Sequence, residues 1–350
     1  MTSEAVKLLK EIIATPSVSR DEENVANGMH RFLYAKGLNT QKHGCNVWAI
    51  CDDYKEEKPT ILLNAHIDTV RPVDGWTHDP FTPELDADGD TIYGLGSNDD
   101  GASVVSLLEV FMLMCKEERQ YNLIYLASCE EEVSGKGGIE SVLPLLPHID
   151  LGIVGEPTGM QPAIAEKGLM VIDATAHGKA GHAARNEGEN AIYKALDDIR
   201  WISTHEFPKK TDLLGPVKMS VTTVNAGTQH NVVPDKCVFT IDVRSNECYT
   251  NEEIFEEIKR NIKSTPVARS FRLSSSGIDQ NHPIVLRCKE LGLMPFGSPT
   301  LSDQALMRFP SIKIGPGQSS RSHTADEFIR ISEIDEAIDI YLSILRNLEI

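Results

Sequence analysis

The chain has 350 residues, of which 41% are apolar and 25% are charged, and both proportions are ordinary for a folded globular protein. Its formal net charge is −18, from 34 basic and 52 acidic residues, which argues against a nucleic-acid or anionic-membrane partner, because such a partner would need a basic face. We therefore expect no nucleic-acid and no membrane partner. A chain of this length usually divides into two domains.

The first predicted element is an N-terminal helix. Apolar residues recur at helical spacing between Leu8 and Ile13, without the basic start or apolar core of a signal peptide. The longest apolar stretch, residues 103–115, contains Glu109 and is too short to span a bilayer. The seven cysteines are scattered and never spaced C-x-x-C, and most lie in apolar segments. We expect buried, reduced thiols and a cytoplasmic location.

Up to about residue 166, short apolar strands alternate with helices. This alternation predicts an α/β sheet with helices on both faces, and active residues in such sheets lie at the carboxyl ends of strands. The predicted strands are 46–51, 60–66, 122–129 and 151–155, and the predicted helices are 102–116 and 138–146.

Between residues 168 and 280 the pattern changes to the order βαββαβ, which predicts a small, ferredoxin-like α+β sandwich with one sheet face exposed. After residue 282 the first pattern returns. We expect a discontinuous catalytic domain of residues 1–167 and 282–350, interrupted by an inserted domain of residues 168–281. In the insert, the predicted strands are 170–177, 218–225 and 237–244, and the predicted helices are 190–203 and 251–264.

His66 and Asp68 stand at the end of the predicted strand 60–66. Because strand side chains alternate between faces, both emerge on the same side. A histidine that binds a metal usually gives its other ring N–H to a carboxylate, and this pair supplies both parts. A hydrogen-bonded structural histidine is the alternative, so the other candidate ligands decide between the two interpretations.

Further acids follow other predicted strands. Residues 94–99 read G-x-G-x-x-D, where Asp99 replaces the third glycine of a dinucleotide-binding motif and would repel a pyrophosphate; a glycine-rich turn with a helix cap is the alternative. Residues 130–132 are three consecutive glutamates at a strand end, where like charges repel unless a cation lies between them. Glu156 ends another strand, and His323 lies in a loop before the last helix.

These motifs resemble those of the co-catalytic zinc amidohydrolases, a family that includes acetylornithine deacetylase, succinyl-diaminopimelate desuccinylase and glutamate carboxypeptidase. The resemblance covers essentially the whole chain. The motifs that carry it are His66-x-Asp68, Gly94–Asp99, the glutamates 130–132, Gly155–Thr158 and His323–Thr324, with Gly181–His182, Asn231–Pro234 and Asp242–Arg244 in the insert.

The resemblance implies two divalent metal ions per subunit, bridged by Asp99. His66 and Glu156 would complete one site, and Glu132 and His323 the other. Zinc is the expected metal for imidazole and carboxylate ligands, and cobalt or manganese could substitute. A bridged pair of this kind generates hydroxide near neutral pH. The family also places a cis peptide bond after the bridging aspartate.

The resemblance makes Glu131 the general base and gives Asp68 a catalytic role beside the first metal ligand. In the family an aspartate precedes the paired glutamates, whereas this chain has Glu130, so a shift of one residue in assigning base and ligand stays open. Family members also use the histidine at position 182, supplied by the partner subunit, to bind the carbonyl oxygen of the tetrahedral intermediate. We expect a homodimer that pairs through the strand 170–177 and the helix 190–203 around a two-fold axis.

Arg244 and Asn231 are expected to bind the substrate carboxylate, the arginine through its bidentate fork, and Gly315 and Gly317 to line the acyl pocket. The sequence around residues 67–81 looks most like the acetylornithine deacetylase branch. The leading interpretation is hydrolysis of N-acetyl- or N-succinyl-ornithine in arginine biosynthesis. The alternatives are a succinyl-diaminopimelate desuccinylase, a dipeptidase or aminopeptidase, and a metal-free binding module, against which the intact ligand set argues.

Overall fold

The computed structural model describes residues 3–185 and 187–350, and the chain divides into two compact units. The large unit comprises the residues up to Ile164 together with Ile278–Phe296 and Ser302–Ile350. The small unit comprises Ala165–Gly277 and Gly297–Leu301. The segment Gly297–Leu301 was not predicted to belong to the small unit. Within that unit, the Ser298 carbonyl accepts a hydrogen bond from the Lys167 N–H at 3.1 Å.

The bounds of the regular elements are as follows. The helices are α1 (Glu4–Ile13), α2 (Glu23–Ala35), α3 (Ala102–Met114), α4 (Ile139–Val142), α5 (Ala191–Thr204), α6 (Asn251–Asn261), α7 (Pro283–Glu290) and α8 (Ile331–Leu345). The strands are β1 (Asn39–His43), β2 (Asn46–Ile50), β3 (Thr60–His66), β4 (Glu84–Leu85), β5 (Thr91–Tyr93), β6 (Asn122–Ser128), β7 (Leu151–Val154), β8 (Ala163–Glu166), β9 (Gly168–His177), β10 (Gly181–His182), β11 (Lys218–Ala226), β12 (Val232–Val233), β13 (Lys236–Ser245), β14 (Thr265–Ala268), β15 (Ser276–Gly277), β16 (Phe296–Ser298), β17 (Ser311–Lys313) and β18 (Phe328–Arg330).

The large unit is built on a mixed sheet in which its strands have the order β1-β2-β6-β3-β7-β17-β8. Its central strands β6, β3, β7 and β17 are parallel, and β3, β6 and β7 are buried along their whole length. A parallel sheet needs cover on both faces, which explains the continuous apolar runs. The carboxyl ends of these strands meet at one edge, as expected for an α/β active site.

Helices cover both faces of this sheet. On one face α3 packs against β3 and β6, and the Tyr125 hydroxyl donates to the Val104 carbonyl at 3.0 Å. On the other face Ile139 of α4 packs with Leu62 and Ile124. The predicted α/β architecture is therefore confirmed.

One helix was not predicted. α2 buries Val25, Met29 and Leu33, which are spaced four residues apart along one helix face. That spacing was the available signal for an amphipathic helix.

The small unit contains an antiparallel sheet with the order β11-β13-β9-β14 and two helices, α5 and α6. Alternate residues of β9 and β13 are buried, and both helices pack on the face that those residues form. A separate α+β unit with a helix-covered face and a more exposed face agrees with the prediction.

The sheet order corrects the predicted dimer contact. β9 lies between β13 and β14, so the strand predicted to pair with its own copy has no free edge. β11 is an edge strand, and the neighbouring α5 exposes Tyr193 and Leu196. Alternation of apolar residues indicates a strand but cannot show which strand lies at an edge, because neighbours are chosen by contacts distant in sequence.

Two cysteines also differ from the prediction. Cys51, which follows β2, and Cys115, which follows α3, form a disulfide with their Cα atoms 5.6 Å apart. The other five cysteines are free. The prediction of reduced thiols throughout is wrong for this pair, and a cytoplasmic location loses the argument on which it rested. Among the described residues, the helices are too short or too polar to cross a membrane.

We expect five reactive thiols in protein denatured without reductant and seven after reduction. The Cys115→Ser variant should have a free energy of unfolding lower by about 2–4 kcal/mol under oxidising conditions, because the bond closes a long loop of the unfolded chain. Thiol titration and urea denaturation measure the two effects. Reduced wild-type protein is the control and should lose the same stability. Seven reactive thiols in unreduced protein would contradict the pairing.

Candidate metal centre and active site

The residues that follow β3, β6 and β7 come together at one edge of the sheet. One ligand atom each from His66, Glu131 and Glu156 lies within 4.8 Å of the others, and the same is true of His66, Asp99 and Glu132. The Nε2 atom of His66 is 3.1 Å from Asp99 Oδ1. Two overlapping groups of nitrogen and oxygen donors therefore share His66.

Asp99 lies in the turn between β5 and α3, and its second carboxylate oxygen faces His323. The His323 Nε2 atom is 3.7 Å from Asp99 Oδ2 and 3.0 Å from Glu132 Oε1. Asp99 thus stands between His66 and His323, where a ligand shared by two ions would lie. The Asp99–Asp100 peptide bond is cis, which confirms the expectation.

Asp68 binds the backbone of the two glutamates that face the candidate ligands. Its carboxylate accepts hydrogen bonds from the N–H groups of Glu131 at 3.0 Å and Glu132 at 3.2 Å, and from the Ser19 hydroxyl at 2.7 Å. The His66 Nδ1 atom lies 2.9 Å from the Asp68 carbonyl oxygen, so a proton on Nδ1 leaves the Nε2 lone pair facing the carboxylates. Burial is the largest single influence and would raise the pKa of Asp68, but the interactions of its carboxylate with His66, the Ser19 hydroxyl and the Glu131 N–H together lower that pKa.

Glu130 turns away from this cluster. Its carboxylate folds over the loop that follows and accepts the N–H of Gly137 at 3.2 Å, and a side chain at Gly135 would collide with it. The remaining glutamates, Glu131 and Glu132, face the candidate ligands. Glu130 is therefore not placed to be the base, and the assignment of Glu131 as base and Glu132 as ligand stays a prediction, because Glu131 itself belongs to a candidate ligand group with His66 and Glu156.

The acidic side chains of this cluster lie close together and are poorly solvated, which disfavours their charged forms. Burial and then repulsion from Glu156 raise the pKa of Glu131 well above its usual value, and burial and then repulsion from Asp99 do the same to Glu156. Burial opposes a charge on His66, but its hydrogen bonds to Asp68 and Asp99 raise its pKa well above the usual value. Divalent cations between these carboxylates would relieve the repulsion, and imidazole and carboxylate donors suit zinc. The residues therefore fit a dinuclear metal site.

Gly315 and Gly317 are buried and lie against the loops of the cluster. A Cβ atom at Gly315 would lie 2.6 Å from the Glu156 carbonyl oxygen and 2.6 Å from the Ser103 Oγ atom. Gly317 has a φ of 79°, and a side chain there would collide with Asn98. Both positions need glycine because neighbouring atoms approach the backbone closely, and their predicted place in the acyl pocket stays a prediction.

The candidate residues of the small unit lie in or beside two separate sheets. His182 belongs to β10, which pairs with β12, and Asn231 immediately precedes β12. The His182 Nδ1 atom accepts the N–H of Ala184 at 3.1 Å, so in the neutral ring Nε2 carries the proton. Arg244 lies on β13, where its guanidinium pairs with Asp242 of the same strand at 2.8 and 3.1 Å.

Two buried acids were missed by the sequence reasoning. Asp303 accepts hydrogen bonds from the Asn64 side-chain amide at 2.9 Å and the Ser128 hydroxyl at 2.7 Å, which joins the ends of β3 and β6. Glu327 accepts hydrogen bonds from the loop that precedes α3. Both lie in polar segments, Glu327 within residues 322–327 and Asp303 after Ser302, so no local pattern in the sequence marked either of them as buried.

Known proteins are similar to this chain in sequence and in fold. The family model "Peptidase family M20/M25/M40" matches residues 62–347. The succinyl-diaminopimelate desuccinylase of Parvibaculum lavamentivorans is 28% identical, over 96% of this chain and 93% of the relative. The acetylornithine deacetylase of Proteus mirabilis is 24% identical, over 98% and 96%. A solved tripeptidase from Staphylococcus aureus superposes with a TM-score of 0.77 at 20% identity, covering 98% of this chain and 97% of that one. The chain belongs to peptidase family M20/M25/M40.

Proposed function

We propose that the protein hydrolyses the amide bond of an N-acyl amino acid, with N-acetyl- or N-succinyl-L-ornithine as the leading substrates and arginine biosynthesis as the role. The observation that carries this proposal is the half-buried carboxylate of Glu131, which lies beside the donor groups of His66 and Glu156, while Asp99 and Glu132 form a second group with the same histidine. The names of both curated relatives describe removal of an acyl group from an amino acid.

In this proposal Asp99 would be shared by two divalent ions, zinc by preference and cobalt or manganese as substitutes. His66 and Glu156 would complete one site, and Glu132 and His323 the other. When bound, such a pair of ions acidifies a water molecule to near-neutral pKa and polarises the substrate carbonyl.

The chain's own residues move the proton. Glu131 accepts a proton from the attacking water and delivers it to the leaving amine, because it is the carboxylate not assigned to an ion. Burial raises the pKa of Glu131, and a carboxylate with a raised pKa is a stronger base. Asp68 would position both the candidate ligand and the base, since its carbonyl binds His66 and its carboxylate binds the backbone of residues 131 and 132.

The small unit would supply recognition. His182 of the partner subunit would donate its Nε2 proton to the developing oxyanion, consistent with the tautomer that Ala184 favours. Asn231 and Arg244 would bind the substrate carboxylate, the arginine through donors that Asp242 leaves free. Gly315 and Gly317 would line the acyl pocket.

A substrate panel tests the proposal. Enzyme loaded with zinc or cobalt would be assayed with acetyl- and succinyl-ornithine, acetyl-citrulline, succinyl-diaminopimelate and a tripeptide. We expect the highest kcat/KM for an acyl-ornithine. A preference for succinyl-diaminopimelate would favour the desuccinylase alternative, which the relative at 28% identity supports. Cleavage of the tripeptide alone would replace the proposal with a peptidase.

The proposed homodimer can be tested by mixing two inactive variants. Each active site would combine Glu131 of one subunit with His182 of the other. Free exchange between His182→Ala and Glu131→Gln subunits should therefore restore roughly one quarter of the sites, because half of the dimers are mixed and each has one complete site. The measurement is the activity of the mixture after exchange. Replacing the exposed Tyr193 and Leu196 by charged residues should prevent dimer formation and so abolish the restored activity. A mixture that stays inactive despite proven exchange would rule out the role of His182 across subunits.

A further inference from the structure

Glu327 is 2% exposed, and three main-chain groups of one loop donate to it. Its Oε1 atom accepts the N–H groups of Asn98 and Asp99, both at 2.9 Å, and its Oε2 atom accepts the N–H of Gly96 at 3.1 Å. The Glu327 carbonyl accepts a fourth N–H, from Gly94, at 3.0 Å. This side chain therefore fixes the backbone of the loop that ends at Asp99.

Asn98 makes the reverse connection. It is fully buried, and its side-chain oxygen accepts the N–H of Gln318 at 2.9 Å. Its side-chain amide donates to the Gln318 carbonyl at 3.1 Å and to the Ser322 hydroxyl at 3.3 Å. The segments 94–99 and 317–327 are therefore tied from both sides, each by a buried side chain that binds the backbone of the other.

These two segments carry Asp99 and His323, whose side chains lie 3.7 Å apart. His323 has a left-handed backbone with a φ of 59°, a conformation that persists in a non-glycine residue only where the surrounding structure enforces it. The hydrogen bonds of Glu327 and Asn98 hold the backbone on both sides of His323 in this conformation. Neither side chain is itself among the candidate ligand groups.

We propose that Glu327 and Asn98 are positioning residues that hold Asp99 against His323 and so set the affinity of the metal pair, above all at the site formed with Glu132. This inference rests on the proposed assignment of ligands to the two sites. Groups that orient metal ligands typically change metal affinity by about 10–100-fold when they are removed.

Glu327→Gln is the direct test, because the shape is kept while one oxygen becomes an NH2 group. With three N–H donors around the carboxylate, that NH2 group must face at least one donor. We expect the second of two Co²⁺ ions to bind about 10–100-fold more weakly, with a smaller change at the first. Titration of metal-free enzyme followed by the visible Co²⁺ absorption bands and by calorimetry measures each step without an activity assay.

Asp90→Asn is the matched control. Asp90 also ties two distant segments, since it accepts the N–H and the hydroxyl of Ser332 at 2.8 and 2.7 Å, but neither segment carries a candidate ligand. Its Co²⁺ affinities should equal those of the wild type. If Asp90→Asn weakens Co²⁺ binding as much as Glu327→Gln does, general destabilisation explains the effect and the inference is overturned.

The outcomes separate the two proposals. Wild-type protein that binds fewer than two Co²⁺ ions would overturn the proposed metal centre itself. Wild-type affinities in Glu327→Gln, with two ions bound in both proteins, would overturn only the positioning role. If circular dichroism shows that Glu327→Gln is unfolded, Asn98→Ala carries the same test, since it removes the reverse tie; wild-type affinities there would likewise overturn the inference.

Discussion

Replacing Glu131 by glutamine is expected to lower kcat by roughly 10²–10⁴-fold while both metal ions stay bound, because the variant loses a general base but no assigned ligand. The amide keeps the size of the carboxylate and cannot accept the proton of the attacking water. Steady-state kinetics together with elemental analysis of the same sample measure the two quantities separately.

Glu130→Gln is the control for this prediction. Its side chain is the immediate neighbour in sequence, yet it folds over the loop at Gly137, away from the ligand cluster. We expect this variant to retain most of its activity. If Glu131→Gln loses a metal ion while Glu132→Gln keeps both, the roles of base and ligand are exchanged between these two residues.

Replacing Asp99 by alanine is expected to abolish activity and to empty both metal sites, since its two oxygens face His66 at 3.1 Å and His323 at 3.7 Å. His323→Ala should empty mainly one site, because His66 and Glu156 remain for the other. Elemental analysis after dialysis against buffer with limiting zinc compares the variants. An Asp99→Ala protein that retains two ions would refute the bridging role.

Much of the candidate site was predictable because its signals are local. The strand over residues 60–66 was predicted with the bounds that the structure shows, since an apolar run bounded by polar residues identifies a buried strand. Acids and a histidine at the ends of successive strands then indicated a common site, because parallel strands share one carboxyl edge. The candidate roles of His66, Asp99 and Glu131 depended on the family resemblance as well as on this position.

Several features required the tertiary structure. The pairing of Cys51 with Cys115 joins residues 64 positions apart, and no spacing in the sequence marks it. The direction of the Glu130 side chain depends on a loop that closes beneath it, and the burial of Glu327 depends on the fold around its segment. The edge position of β11 depends on how four strands order themselves. Most of the longer strands and helices, and the residues at their ends, could be predicted because side-chain periodicity is a local property. Which segments become neighbours could not be predicted, because that choice is made by contacts between residues far apart in the chain.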